Sequence, residues 1–125
     1  MLLRELVAIA VGGALGTLTR VGALEATEHL PHGELIATLA ANTLGALGLA
    51  FVIARGLPEF PAWIRQGITV GFFGSYTTFS AIALITVTES MAVGIGYLGI
   101  TLVVGILAVL AGRALGSLAR GAAPS

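Results

Sequence analysis

The sequence predicts an all-α membrane protein built from four transmembrane helices, and three observations carry that reading. Only 10% of the 125 residues are charged while 57% are hydrophobic, against roughly 25% charged in an ordinary soluble domain. That is too little charge to clothe a soluble surface. Residues 35–54, 66–88 and 90–112 contain no Asp, Glu, Lys or Arg, and each approaches or exceeds the roughly 20 residues a hydrocarbon core requires. A fourth segment, 6–19, is shorter but continues past Arg20 through Val21 to Leu24. Finally, the arginines segregate. With four spans both termini and the second loop share one side, which collects Arg4, Arg55, Arg65, Arg113 and Arg120. Arg20 falls toward the other side with Glu25, Glu28, Glu34 and Glu89, so the positive-inside rule puts both termini in the cytoplasm.

Taken in order, the first span covers about 4–24. Its start, "MLLRELVAIAVGGALG", has Arg4 ahead of an apolar stretch, but Glu5 spoils the basic region of a signal peptide, and the segment reads as a retained span. A loop follows in which Pro31 and Gly33 mark the turn. The second span covers about 35–54. Pro58 and Pro61 interrupt the next connection, and Trp63 stands where an interfacial aromatic would anchor. The third span covers about 64–88, Glu89 and Ser90 make a tight connection, and the fourth covers about 91–115. The tail "RGAAPS" reads as frayed. The whole chain, 1–125, is thus one transmembrane domain. Eighteen glycines, with pairs at Gly12/Gly16, Gly67/Gly71 and Gly112/Gly116, suit close approach of helix backbones.

The third span differs from the others. "GFFGSYTTFS", residues 71–80, places Gly74, Ser75, Thr77 and Thr78 near the centre of an apolar run. Glycine and serine are poor helix formers, and threonine hydroxyls compete for backbone partners. A break here frees backbone groups that cost several kcal/mol each if they face lipid. It is tolerated when buried in protein, lining a wet cavity or holding an ion; freed carbonyls suit a cation. The alternative is a continuous helix with hydroxyls bonded to the preceding turn. Asn42 lies in charge-free "TLAANTLGALG", where its amide either glues helices or offers donors to a carbonyl or an anion. Arg20 either snorkels to the interface or stands at the mouth of an anion path.

The sequence has no cysteine, which excludes disulfides, thiolate metal sites and cysteine catalysis. With zero net charge and no basic cluster, nothing points to nucleic acid. No Asp, Glu or His lies deep in a span, and no nucleophile–base pair or phosphate loop is present. The chain does not read as an enzyme.

Taken together, these residues resemble the fluoride channel family (Fluc/CrcB) of bacteria and archaea, over nearly the whole chain and in order. "GGALGTLTR", 12–20, is similar to the family's first-span pattern, and "NTLGALGLA", 42–50, to its second-span Asn-x-x-Gly motif. "GFFGSYTTFS" resembles its most specific signature, with Ser75 in place of the usual second glycine. Tyr97 matches a pore-facing tyrosine. The resemblance implies a passive, fluoride-selective channel of the plasma membrane that exports F− and protects against its toxicity. It further implies an inverted (antiparallel, dual-topology) homodimer with two fluoride pathways. A central structural Na+ would be held by the backbone carbonyls of Gly74 and Thr77. Asn42 would be the pore amide and Phe79 a pore phenylalanine, with ring-edge positive charge toward the anion. Ser80, Tyr97 and Thr101 would supply hydroxyls, and Arg20 would sit in the vestibule. Ile82 stands where the family commonly has its second phenylalanine, giving the path an aliphatic wall there.

The arginine bias, five against one, sits awkwardly with an inverted homodimer, so pairing with an oppositely oriented relative is the second possibility. Two other readings compete. A small multidrug-resistance-type exporter should carry a coupling carboxylate in its first span, and none lies between Leu6 and Thr19. A structural or accessory membrane subunit would use the polar residues only as helix glue.

Overall fold

The computed structural model describes residues 2–122, and all the regular secondary structure among them is helical. α1 is Leu3–Thr27, α2 is Gly33–Arg55 and α3 is Ala62–Gln66, which continues into a π-wound segment, Gly67–Phe73. α4 (Gly74–Tyr76) and α5 (Phe79–Thr88) complete the third span, and α6 is Met91–Ala122. Four stretches are long and apolar enough to cross a membrane: α1, α2, Ala62–Thr88 and α6. The protein is therefore a multi-pass integral membrane protein.

The helices run past the ends that charge alone suggests. α1 continues through Glu25 to Thr27, because glutamates cost a helix nothing once it has left the hydrocarbon. The first turn shrinks to Glu28–His32, where His32 takes a left-handed conformation (φ 57°) ahead of Gly33. α2 ends on Gly56, also left-handed (φ 83°), the usual way a helix stops. The link between α5 and α6 is only Glu89 and Ser90, and the Ser90 hydroxyl accepts the N–H of Val93 at 3.3 Å. α6 extends to Ala122, so Arg120 to Ala122 are helical rather than frayed, and 123–125 lie outside the described residues.

Glycines set the packing. A methyl group on Gly12 or Gly16 of α1 would overlap the carbonyl oxygens of Gly67 and Phe72 in the third span. On α6, Gly112 and Gly116 lie as closely on the carbonyls of Leu47 and Phe51 in α2. Backbone thus rests on backbone, as small-xxx-small contacts allow. The third span serves two partners: its first half (α3, the π-wound segment and α4) packs on α1, whereas α5 packs on α6 and makes no contact with α1. Ile82 and Ile85 of α5 meet Tyr97 of α6 in a buried cluster covered by Leu35, Leu39 and Leu98. Outside this cluster the buried apolar side chains are mostly alanines, such as Ala37, Ala41 and Ala108, while many large ones face outward; Leu3, Leu18, Val87 and Met91 are all more than two-thirds exposed. Such a surface suits lipid or another membrane chain.

Candidate ion site at the break of the third span

The third span opens where its sequence turns polar. α4 ends at Tyr76, and Thr77 (φ −81°, ψ 155°) and Thr78 (φ −148°, ψ 121°) are extended before α5 begins. The continuous-helix alternative is excluded. What matters is where the released backbone groups go.

Four of them, the Ser75 and Thr78 carbonyls and the Thr78 and Ala81 N–H groups, are met by side chains. The Thr77 N–H and hydroxyl both donate to the Phe73 carbonyl, at 3.1 and 2.9 Å. Arg20, reaching across from α1, donates from Nε to the Ser75 carbonyl at 3.3 Å. A guanidinium there also suits the negative end of the first half-helix. Asn42, on α2, takes both backbone groups of Thr78: its Oδ1 accepts the Thr78 N–H at 2.7 Å, and its Nδ2 donates to the Thr78 carbonyl at 3.0 Å. The Thr78 hydroxyl caps α5 by accepting the Ala81 N–H at 3.3 Å, and it lies 3.1 Å from the Ser80 hydroxyl.

Three carbonyls are left over, those of Gly74, Tyr76 and Thr77, and the first and last are the two whose helical donors have been taken by side chains. In an unbroken helix the Gly74 C=O would accept the Thr78 N–H and the Thr77 C=O would accept the Ala81 N–H. Those two donors are the ones Asn42 and the Thr78 hydroxyl have taken. Among the described residues no hydrogen bond ends on the Gly74 or Thr77 carbonyl. A backbone oxygen without a donor in an apolar surrounding is a ready ligand for a hard cation.

The Asn-x-x-Gly motif of α2 acquires a physical meaning here. Asn42 and Gly45, three residues apart, share one helix face. Asn42 binds the backbone of Thr78, and Gly45 leaves room for Thr77, since a methyl group on it would overlap the Thr77 Cγ2. The Phe73 ring lies over Gly48 in the same way, and Phe72 stacks on Tyr76 (centroids 5.7 Å apart), stiffening the last turn before the break.

The structure thus brings Arg20, Asn42, Gly74, Thr77 and Ser80 together around one break. Phe79 points outward from the start of α5 and is 78% exposed. Ile82 does not lie beside it but in the buried cluster with Tyr97. The Tyr97 hydroxyl donates to the Leu35 carbonyl at 3.1 Å, and one turn further along α6 the Thr101 hydroxyl is buried with no partner. A cavity of about 40 Å³ between Arg20, Glu34, Thr38 and Thr78 has room for a water or a small ion. A longer groove of about 610 Å³ runs between α2 and α6, from Thr77 at the break to Arg113 and Ser117.

One residue of this site, Thr38, was not singled out from sequence, and the role of Thr78 there was not read. Thr78 is its hub, and the signal was present: a threonine directly before an apolar run is a helix N-cap. Thr38, buried to 3% exposure beside Thr78, gave no such signal.

A small four-helix membrane chain, with its third span opened around bare carbonyls and held by an amide and a guanidinium, is by fold and site an ion-handling membrane protein. The comparison with known proteins makes this specific. A family model described as "CrcB-like protein, Camphor Resistance (CrcB)" matches residues 7–113, and the chain belongs to that family. It is similar to the "Fluoride-specific ion channel FluC" of Pseudomonas syringae pv. tomato, 35% identical over 91% of this chain and 98% of the relative. It is likewise similar to "Fluoride-specific ion channel FluC 2" of Symbiobacterium thermophilum, 45% identical over 86% of this chain and 93% of the relative. The "Fluoride-specific ion channel FluC" of Pseudomonas fluorescens strain Pf0-1 is 37% identical over 88% of this chain and 94% of the relative.

Proposed function

We propose that the chain is a fluoride-selective channel subunit that lets F− leave the cell passively across the plasma membrane. The observation that carries this reading is the break itself, where the Thr78 and Ala81 N–H groups are diverted to side chains so that the Gly74 and Thr77 carbonyls stay bare. Family membership supplies the transported ion. A channel performs no bond-making chemistry, and the hydroxyls and amide here are read as ion ligands.

Fluoride is small and strongly hydrated, so a selective path has to replace its water with several donors. Asn42 spends one N–H on the Thr78 carbonyl and keeps the second free. The Ser80 hydroxyl lies beside it through Thr78, and Thr101 carries a buried, unpartnered hydroxyl. Tyr97 lies one turn from Thr101 along α6, but its proton is held by Leu35, so Tyr97 meets an anion only by leaving that carbonyl. Phe79 offers a ring edge from its exposed position. Ile82 supports the path from the core behind Tyr97. Arg20 gives the mouth its positive charge while holding Ser75.

The Gly74 and Thr77 carbonyls fit a structural Na+, which would supply a fixed positive charge at the break. Two oxygens from one chain do not fill such a shell, so a second copy contributes the same pair. The exposed Phe79 and the groove ending on Thr77 suit a partner covering this face. We favour a homodimer with inverted subunits, and the arginine bias makes an oppositely oriented relative the second candidate for the partner.

The test is fluoride efflux from liposomes holding the purified protein alone, with chloride run in parallel. Fast efflux of fluoride and not chloride is expected, and would show that one chain type suffices. Silence from folded protein, relieved by a second chain, would replace the homodimer with a heterodimer. Silence in both would leave a structural subunit.

A further inference from the structure

We infer that Asn42 is a positioning residue for the cation site, setting the affinity for Na+ as well as lining the fluoride path. The inference rests on the cation reading above and goes beyond it. Left to itself, an interrupted helix tends to re-form: the Thr78 N–H would return to the Gly74 carbonyl, which is its helical partner. Asn42 Oδ1 holds that N–H at 2.7 Å instead. The Gly74 oxygen therefore stays bare only while the amide is in place. The same Oδ1 bond anchors the peptide plane that joins Thr77 to Thr78 and carries the Thr77 carbonyl, while the Nδ2 bond to the Thr78 carbonyl, at 3.0 Å, anchors the next plane, so both flanks of Thr78 have little freedom to turn.

Gly45 completes the clamp by seating Thr77, and both residues lie on α2, a long helix packed along most of α6. The cation oxygens are thus indexed to a rigid element outside their own span. No other side chain contacts the Thr78 N–H, so the arrangement has no second support. It also couples the two ions, since the amide that offers its remaining N–H to fluoride is the one that keeps the cation cage open.

The experiment measures thermal unfolding of the purified protein in detergent against Na+, with choline replacing Na+ to keep ionic strength constant. The wild-type chain should gain Tm with Na+ along a saturable curve; absence of that gain would defeat the cation reading itself. Given the gain, Asn42→Ala should move the midpoint to about tenfold higher Na+, the factor equivalent to about 1.4 kcal/mol, or one net hydrogen bond. An unchanged midpoint would overturn the positioning role and leave Asn42 as a pore residue only. Asn42→Asp keeps an acceptor for the Thr78 N–H but puts a negative charge in the path. It also loses the Nδ2 donor that holds the Thr78 carbonyl, so its midpoint should rise by less than the roughly tenfold expected for Asn42→Ala while fluoride efflux is lost. A midpoint raised as far as in Asn42→Ala would refute the acceptor argument, and this variant decides the matter alone if Asn42→Ala does not fold.

Discussion

Gly45 and Asn42 divide the work of receiving the broken span, and the glycine offers the cleaner mutational handle because it touches no ion. Gly45→Ala pushes a methyl group into the Thr77 Cγ2. Overpacking of this kind costs about 1–3 kcal/mol, so the variant should melt earlier than wild type. Adding Thr77→Ser removes the offending methyl and keeps the hydroxyl that bonds Phe73. The double variant should recover most of the lost Tm, and a failure to recover would place the cost elsewhere. At this scale the sequence was legible wherever a polar group stood in a run of apolar ones. Asn42, Thr77 and Arg20 declared themselves because hydrocarbon leaves such groups no indifferent place. What each of them binds was not legible, because the Asn42–Thr78 pairing joins residues 36 apart in sequence and depends on how two helices dock. Ile82 shows the same limit. Its place three residues after Phe79 suggests a shared face, yet Phe79 is exposed and Ile82 buried.

Between elements, the controlling fact is that α1 and α2 meet their partners through glycines. Gly116→Leu on α6 would drive a branched side chain into the Phe51 carbonyl and the end of α2. The two backbones would have to separate, and a loss on the order of 2–4 kcal/mol is expected, read as a lower melting temperature of the purified protein. Gly22→Ala, on an open stretch of α1, is the matched control and should leave the melting temperature unchanged or higher, since alanine is the better helix former. If both variants behave alike, contact is not what the glycines serve. The four helices and the two-residue link at Glu89–Ser90 follow from charge-free length and from turn residues, and the structure agrees with both. The π-wound turns of Gly67–Phe73 had no signature in the sequence. A wider helix turn arises from packing, and it lies where the third span presses closest on α1.

For the molecule as a whole the open matter is orientation. Five arginines gather on one side and one on the other, which favours a single insertion direction, whereas an inverted homodimer requires both. The absence of cysteine makes this easy to settle by labelling. A single cysteine in place of Glu59, exposed in the second loop, should react with an impermeant thiol reagent from both faces of the membrane if the homodimer forms. Labelling from the cytoplasmic face alone would mean that the partner is another chain. Membrane character was legible from composition before any helix was placed, because a surface with so few charges has no soluble solution. The proposed dimer has no signature in one chain's periodicity, since the groups it would satisfy are backbone carbonyls that every residue carries.

One feature of the clamp bears on how the protein is made. Arg20 and Asn42 come from the first two spans, and both precede the break they hold. A ribosome delivers the chain from its N-terminus, at about 5–20 residues per second. The receptors for the irregular backbone are thus already in the bilayer when Thr77 and Thr78 emerge. The third span does not have to enter lipid with its polar groups bare and wait for partners. The order of the sequence is also an order of assembly, in which each vulnerable group arrives after the one that protects it.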